Sequence, residues 1–380
     1  MKVEQFRWEK QQGWNRSLGA GMGSSRTLLL MFGSREAFRE PGLLAEVSSA
    51  FPGACSFGCS TAGEIEDTNV HDGSLVLTAV QFESVRIQGA SRQVACAEDS
   101  WSAGQQLGLA LAGPDLSHVV VLSDGLHVNG TDLVAGLVSA LPSQVTVTGG
   151  LAADGDRFEQ TLVLLDGELA SAKVAAIGLY GSRLRVGCAS RGGWDPFGPE
   201  RLITRSKGNE LYELDGRSAL DLYREYLGDY AKELPAMGLY FPLSLRTENG
   251  GEALVRTILG INAAAGSLIF AGDMPQGSYA RLMKANSERL IDGAAEAAMI
   301  CSKSLDGLEA EFALLISCVG RKLVLKQRTE EEVENVREVM GPRPVLSGFY
   351  SYGEVSPFSS GERCELHNQT MTITAFAELG

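Results

Sequence analysis

Apolar and polar positions along the chain fall into a recurring order. An apolar run, LLLMFGS at 28–34, has the length and composition of a buried strand. After it, Leu43, Leu44, Val47 and Phe51 share one helical face, with Pro41 near the start and Pro52-Gly53 as the stop. A short strand, ACSFGCST, then leads into Gly58 and a Gly63-Glu64 turn. The same order returns at HVVVLSDG, 118–125. Its helix places Leu133, Val134, Leu137, Val138 and Leu141 together behind a Thr131 cap, and Pro142 ends it. VTVTGGLAADG follows. Leu28 to Gly58 and Val119 to Gly149 are both intervals of 30 residues, which marks a repeated unit.

A third unit begins with FALLISCVGRK at 312–322. The helix TEEEVENVREVM has Val333, Val336 and Met340 on one face and Glu330 to Glu332 in its first turn, where they suit the helix dipole. Gly341-Pro342 stops it, and VLSGFYSYGEV follows, with Gly348 34 residues after Leu314. The segment ILGINAAAGSLIFAGDMPQG, 258–277, keeps the glycines without a preceding helix and reads as a fourth relative. Stretches 72–82, 160–167, 173–181 and 367–376 alternate as strands. The predicted fold class is therefore α/β, in the sense of α+β mixed sheets, with duplicated strand-helix-strand units in two domains. SRGGWDPFGPE, 190–200, is the expected boundary, giving an N-terminal extension at 1–25, one domain at 26–195 and another at 196–380. Beyond it, NELYELDGRSALDLYREYLG predicts a strand, an Asp215-Gly216 turn and a helix from about Ser218 to Tyr226.

Composition narrows the function. Of 380 residues, 44% are apolar and 21% charged, as in an ordinary globular protein. The net charge of -14, without a dense Lys/Arg stripe, argues against nucleic acid and anionic membrane surfaces as partners. No signal peptide and no 18-residue apolar run is present, so the expectation is a cytoplasmic chain without membrane insertion. Seven cysteines, an odd count, fit reduced thiols; Cys55 and Cys59 lack the spacing of a zinc or redox pair. A homo-oligomer is compatible with the sequence.

The strings GCSTAGEI, GGLAADG, GNELYELDGRSALDLY, FAGDMPQG and GFYSYGEV followed by HNQTMT, in this order from about residue 26 to 378, resemble the FIST family, with its N-terminal and C-terminal halves. That resemblance implies a sensory role: binding of a small ligand, an amino acid being the usual suggestion, and signalling in trans to a separate protein such as a histidine kinase or cyclase. Stand-alone bacterial relatives of this kind imply an alternative, a haem-binding nitric-oxide sensor acting on a histidine kinase.

The residues allow a matching chemistry. A strand ending in a glycine turn leaves N–H groups free for a carboxylate, and an acid beside it can take an ammonium. The expected ligand-binding set is Gly58, Cys59, Ser60, Thr61, Gly63 and Glu64 on the first turn. Tyr350, Tyr352, Gly353 and Glu354 form the second, with His367 and Asn368 nearby. The alternative for both glutamates is capping of nearby backbone. No catalytic residue is assigned. A third option, acyl transfer, would pair Cys59 with His367 as base. Of four histidines, His71 reads as a turn residue and His118 as the solvated end of a strand. His127 and His367 are the candidates for a haem axial ligand. His127 lies in a loop between a strand end and a helix, where open α/β sheets bind ligands. No CxxCH occurs, so haem would not be attached covalently as in c-type proteins.

Overall fold

A computed structural model describes residues 1–19, 21–246 and 253–380. It is a mixed α/β protein, as the apolar patterning predicts. The repeat, however, is threefold. Each copy has a buried lead strand, a helix and a return strand parallel to the lead. The pairs are Thr27–Gly33 with Cys55–Ser60, Leu116–Ser123 with Thr146–Leu151, and Phe312–Cys318 with Val345–Ser351. A closing strand lies antiparallel to each lead strand: Leu75–Gln81, Lys173–Tyr180 and Met371–Glu378. An opening strand pairs in turn with each of these: Lys2–Glu9, Arg86–Gln93 and Leu184–Arg191. Residues 1–25, expected as an extension, thus supply a full strand of the first sheet.

After its return strand, each copy sends a short hairpin into another copy's sheet. The hairpin from Glu64–Glu66 and Asn69–His71 pairs with Val345–Ser351 of the third sheet. The third copy's Gly353–Pro357 and Cys364–His367 complete the second sheet on Thr146–Leu151. The second copy's Val163–Leu165 and Glu168–Ala170 complete the first on Cys55–Ser60. The exchange closes a ring. Apolar side chains from all three sheets meet in one cluster that includes Phe32, Leu122, Ile316 and Phe349. At its centre the rings of Phe32 and Phe349 stack at 4.6 Å.

The repeated glycines have a definite job in this ring. Gly58, Gly149 and Gly348 are each the return-strand residue opposite Met31, Val121 and Leu315. A Cβ there would fall 1.9, 1.8 and 1.7 Å from the carbonyl oxygens of those three residues. These glycines therefore let two backbones touch inside a sheet. Gly58 and Gly348 do not sit on turns, and no ligand could reach their N–H groups while the strands are paired.

The two-domain division at 195/196 is replaced by an insertion. Residues 195–246 and 253–284 form a separate antiparallel sheet around Asp195–Lys207, Glu210–Leu214 and Tyr279–Lys284. It has its own core, including Ile203, Leu220, Tyr223 and Phe270. The expected turn is present at Asp215 and Gly216, both at positive φ. The helix Ala219–Leu227 starts where Ser218 Oγ accepts the Asp221 N–H. The chain then re-enters the third copy through the helix Ser287–Lys303. The segment 258–277 is not a fourth copy: Ile258–Asn262 and Ser267–Phe270 make an antiparallel hairpin whose turn uses Gly266 at φ 65°. In the second copy the helix is capped by Asn129, which accepts the N–H groups of Thr131 and Asp132; Thr131 lies inside the first turn. The third copy adds a short helix, Val319–Leu325, that periodicity does not reveal.

Gly348→Ala should cost about 3 kcal/mol or more, the upper end for an overpacked core, because the added Cβ meets backbone. Gly307→Ala, at φ 83° with open space around it, should cost about 1 kcal/mol for backbone conformation alone. Midpoints of denaturant unfolding for the two variants measure the difference.

Candidate functional site

Each return strand must turn out of its own sheet into the exchanged hairpin. In the first copy a buried carboxylate holds that turn. Glu64 accepts the Thr61 hydroxyl at 2.5 Å on one oxygen; on the other it accepts the Ser74 N–H at 3.2 Å and hydroxyl at 2.7 Å. The third copy repeats this atom for atom. Glu354 accepts the Ser351 hydroxyl at 2.7 Å, and the Thr370 N–H at 3.1 Å and hydroxyl at 2.9 Å. Ser74 and Thr370 stand just before the closing strands, so each carboxylate ties the exit of a return strand to the entry of a closing strand. Glu64 and Glu354 are 1% and 0% exposed. This corresponds to the backbone-capping alternative, and neither carboxylate faces an opening. Burial pushes both carboxyls up to about 7 despite their hydrogen bonds.

The second copy lacks this glutamate. Asp124, directly after the lead strand, does the tying instead: it accepts the Ala172 N–H at 2.9 Å, just before the closing strand Lys173–Tyr180. Its other oxygen accepts the N–H groups of Leu126 and His127 at 2.9 and 2.8 Å and lies 3.0 Å from His127 Nδ1. Burial opposes its charge, but the three amides outweigh this and hold its carboxyl below the usual range. Without a Gly-Glu turn, the segment after Leu151 runs out as a loop. Asp154 organises that loop by accepting from the N–H groups of Glu159 and Gln160 and from the Tyr352 hydroxyl.

A cleft opens where the loop leans away, between the C-terminal strand ends of the ring and the inserted sheet. Its outer chamber has a volume of about 1280 Å³ and its inner arm about 250 Å³. Phe158, Leu239, Leu259 and Val319 line both and form the waist between them. The ring contributes Phe158 and Val319; the insert contributes Leu239 and Leu259. In the outer chamber, Lys322 Nζ donates to the Ala62 carbonyl at 2.9 Å, pairs with Asp72, and lies 5.5 Å from the centre of the Tyr350 ring. In the inner arm stand His127, half exposed, and Thr257.

The residues expected to bind ligand divide accordingly. Tyr352 lines the inner arm. Gly63 lies under Lys322, whose Nζ would be 2.5 Å from a Cβ there. Cys59 and Ser60 are buried in the first sheet, and Ser60 Oγ accepts the Leu162 N–H. Thr61 is committed to Glu64 as described. Tyr350 is sealed, donating its hydroxyl to Glu332 at 2.7 Å beside the buried Arg321–Glu332 pair. Gly353 and Asn368 are buried below the cleft, outside its lining.

His367 is withdrawn as an axial-ligand candidate. It is 1% exposed, its Nε2 donates to the Ser356 carbonyl at 2.8 Å, and burial holds its imidazole down to about 4. Cys59 and His367 belong to different sheets, and burial pushes the Cys59 thiol up, away from the reactive thiolate. No acyl-transfer pair forms. His118 is also not at a solvated end: it is fully buried, bonded to Thr148 Oγ1 at 2.9 Å, and held at about 3. Among the described residues no group of three or more His, Cys, Asp or Glu side chains could hold a metal ion, and no helix is long and apolar enough to cross a membrane.

The chain matches the FIST N domain over residues 27–217 and the FIST C domain over residues 219–357. It belongs to the FIST family. FIST domains are generally sensory, small-ligand-binding domains. An uncharacterized protein of Methanocaldococcus jannaschii, MJ1623, is 24% identical over 206 residues, covering 50% of this chain. The match spans 39% of that relative's length. A solved structure described as PurLQS from Thermotoga maritima overlaps with a TM-score of 0.22 and 9% identity, over 84% of this chain and 74% of that one; the likeness is too slight to bear on the fold. The boundary between the FIST N and FIST C matches falls inside the inserted sheet, so the cleft of this FIST protein draws residues from both.

Phe158, Leu239, Leu259 and Lys322 escaped the sequence reading because they converge only in space. One signal was visible: the second copy reads GGLAADG where the others carry Gly-Glu, and the departure marks where the cleft opens.

The two buried glutamates carry a pH signature. Their folded-state pKa of about 7 lies above the unfolded carboxylate value, so the stability they contribute is present below about pH 4.5 and is lost as pH rises through 7. His118 and His367, buried neutral, act in the opposite sense below about pH 6.5. The comparison that isolates the glutamates is with Glu64→Gln/Glu354→Gln. The variant's melting temperature should gain on the wild type by several degrees between pH 5 and pH 8, read from paired thermal melts.

Proposed function

We propose that this FIST protein binds a small molecule in the cleft between the ring and the inserted sheet, and that occupancy is passed by contact to a separate signalling protein such as a histidine kinase or cyclase. The observation that supports this is the cleft itself. It is large enough for a small organic ligand, mostly apolar, and carries a few convergent polar groups, as ligand sites do. Its walls come from two bodies, so a ligand touching both changes how they sit together. The Lys322 ammonium in the outer chamber can meet a ligand carboxylate, which makes amino acids a first class to screen. This relocates the recognition chemistry from Glu64 and Glu354 to the cleft.

A ligand found by thermal-shift screening of amino acids and related metabolites should raise the melting temperature of the wild type. The shift is about 2.7 kcal/mol of stabilisation at a hundredfold excess over Kd. Ala236→Trp, which fills the cleft mouth from an exposed position, should reduce that shift by more than half. A ligand whose shift survives Ala236→Trp does not bind here.

A second reading, the haem-bound nitric-oxide sensor, is supported by His127. Its Nδ1 is oriented by the Asp124 carboxylate, the arrangement that fixes the tautomer of a ligating imidazole, and the ring is half exposed in the cleft. His127 would hold the iron, the apolar waist would flank the macrocycle, and the haem would supply the gas-binding centre. Protein purified from haem-supplied cells should then show a Soret band that shifts under nitric oxide and is lost in His127→Ala. A colourless wild type excludes this reading and leaves the first standing.

A further inference from the structure

The waist of the cleft has two large apolar side chains in the open. Phe158 is 42% exposed and Leu259 45%. One comes from the ring and one from the insert, and both line both chambers. Single exposed apolar residues are ordinary; two that face one cleft from separate bodies are not.

Phe158 is also held there against its own backbone preference. Its φ is +53°, a region that side chains other than Gly, Asn and Asp seldom adopt. The surroundings impose this conformation. The Phe158 N–H donates to the Tyr352 hydroxyl at 3.3 Å, and that hydroxyl donates to Asp154. Asp154 in turn holds the next two amides, those of Glu159 and Gln160. The Phe158 ring lies flat on the Tyr352 ring, 4.4 Å between centroids and 10° between planes. One aromatic face is covered by Tyr352, and the other is presented to the cleft in a fixed orientation.

A second, independent observation points to a ligand in the inner arm. Thr257 is 4% exposed, its Oγ1 has no hydrogen-bond partner among the described residues, and it lines that arm. A buried hydroxyl without a partner is costly to maintain unless something supplies one.

We propose that the cleft takes a ligand with a flat, apolar ring system and one hydrogen-bonding group, the ring lying between Phe158 and Leu259 and the polar group meeting the Thr257 hydroxyl. This rests on the reading of the cleft as the ligand site and names the ligand class it is shaped for. It does not depend on His127.

The test titrates the full chain with 2-naphthol and with decahydro-2-naphthol, which share a carbon skeleton and a hydroxyl but differ in flatness. The wild type should bind 2-naphthol about fivefold more tightly, the preference expected of one aromatic stacking contact. Phe158→Leu, which keeps the apolar cover over Tyr352 without the plane, should bring the two affinities together. Thr257→Val should weaken both by about fivefold, the worth of one hydrogen bond, while leaving the melting temperature of the free protein unchanged or higher. Equal binding of the two probes by the wild type, or a preference that survives Phe158→Leu, overturns the proposal while leaving the cleft as a ligand site. Failure of 2-naphthol to bind also overturns it, and the screen with Ala236→Trp then decides the cleft separately.

Discussion

Three backbone contacts hold this molecule's plan together. At Gly58, Gly149 and Gly348 the return strand lies so close to its lead strand that no side chain fits between them. Each return strand pairs on one side with its own lead strand and on the other with a hairpin from a different copy. The sheets are then built from shared parts, and the apolar faces of all three press into a single core around Phe32 and Phe349. The glutamate ties serve the same plan. Where the chain leaves one sheet for the next, polar groups are unavoidably buried, and each interior carboxylate satisfies one backbone amide and two hydroxyls at once.

The cleft arises where the repeats stop agreeing. Two copies turn tightly on a glycine and a glutamate. The second has neither, borrows Asp124 for the tie, and releases residues 152–162 as a loop held by Asp154. The third is interrupted by a whole antiparallel sheet, which settles over the opening that the loop leaves. Sites grafted onto a symmetric frame commonly sit at such departures, because the frame needs no adjustment elsewhere.

Much of the frame was legible along the chain. The equal spacing of Leu28–Gly58 and Val119–Gly149, and the apolar faces of the intervening helices, reflect periods that any buried strand or surface helix must keep. The glycines were legible as special but ambiguous in meaning. A glycine that permits a turn and one that permits two strands to touch leave the same mark, and only the partner strand distinguishes them. The same holds for Glu64 and Glu354: an acid after a glycine can face a ligand or two neighbouring hydroxyls, and Ser74 and Thr370 lie too far along the chain to be paired with them beforehand. The insertion hid the third opening strand, Leu184–Arg191, on the wrong side of an apparent domain boundary. The waist was beyond reach, since Phe158 and Leu259 acquire meaning only by facing one cavity.

The sharing of hairpins also governs the order in which the protein can be finished during synthesis. Only the first sheet has all its strands once residue 170 has emerged. The second waits for Cys364–His367 and the third for Met371–Glu378, so the hairpin Glu64–Glu66 and Asn69–His71 has no sheet to join for most of translation. Until the last strands leave the ribosome, two sheets keep an open edge and part of the common apolar core stays wet. Such a nascent chain needs shielding from its neighbours until it is released.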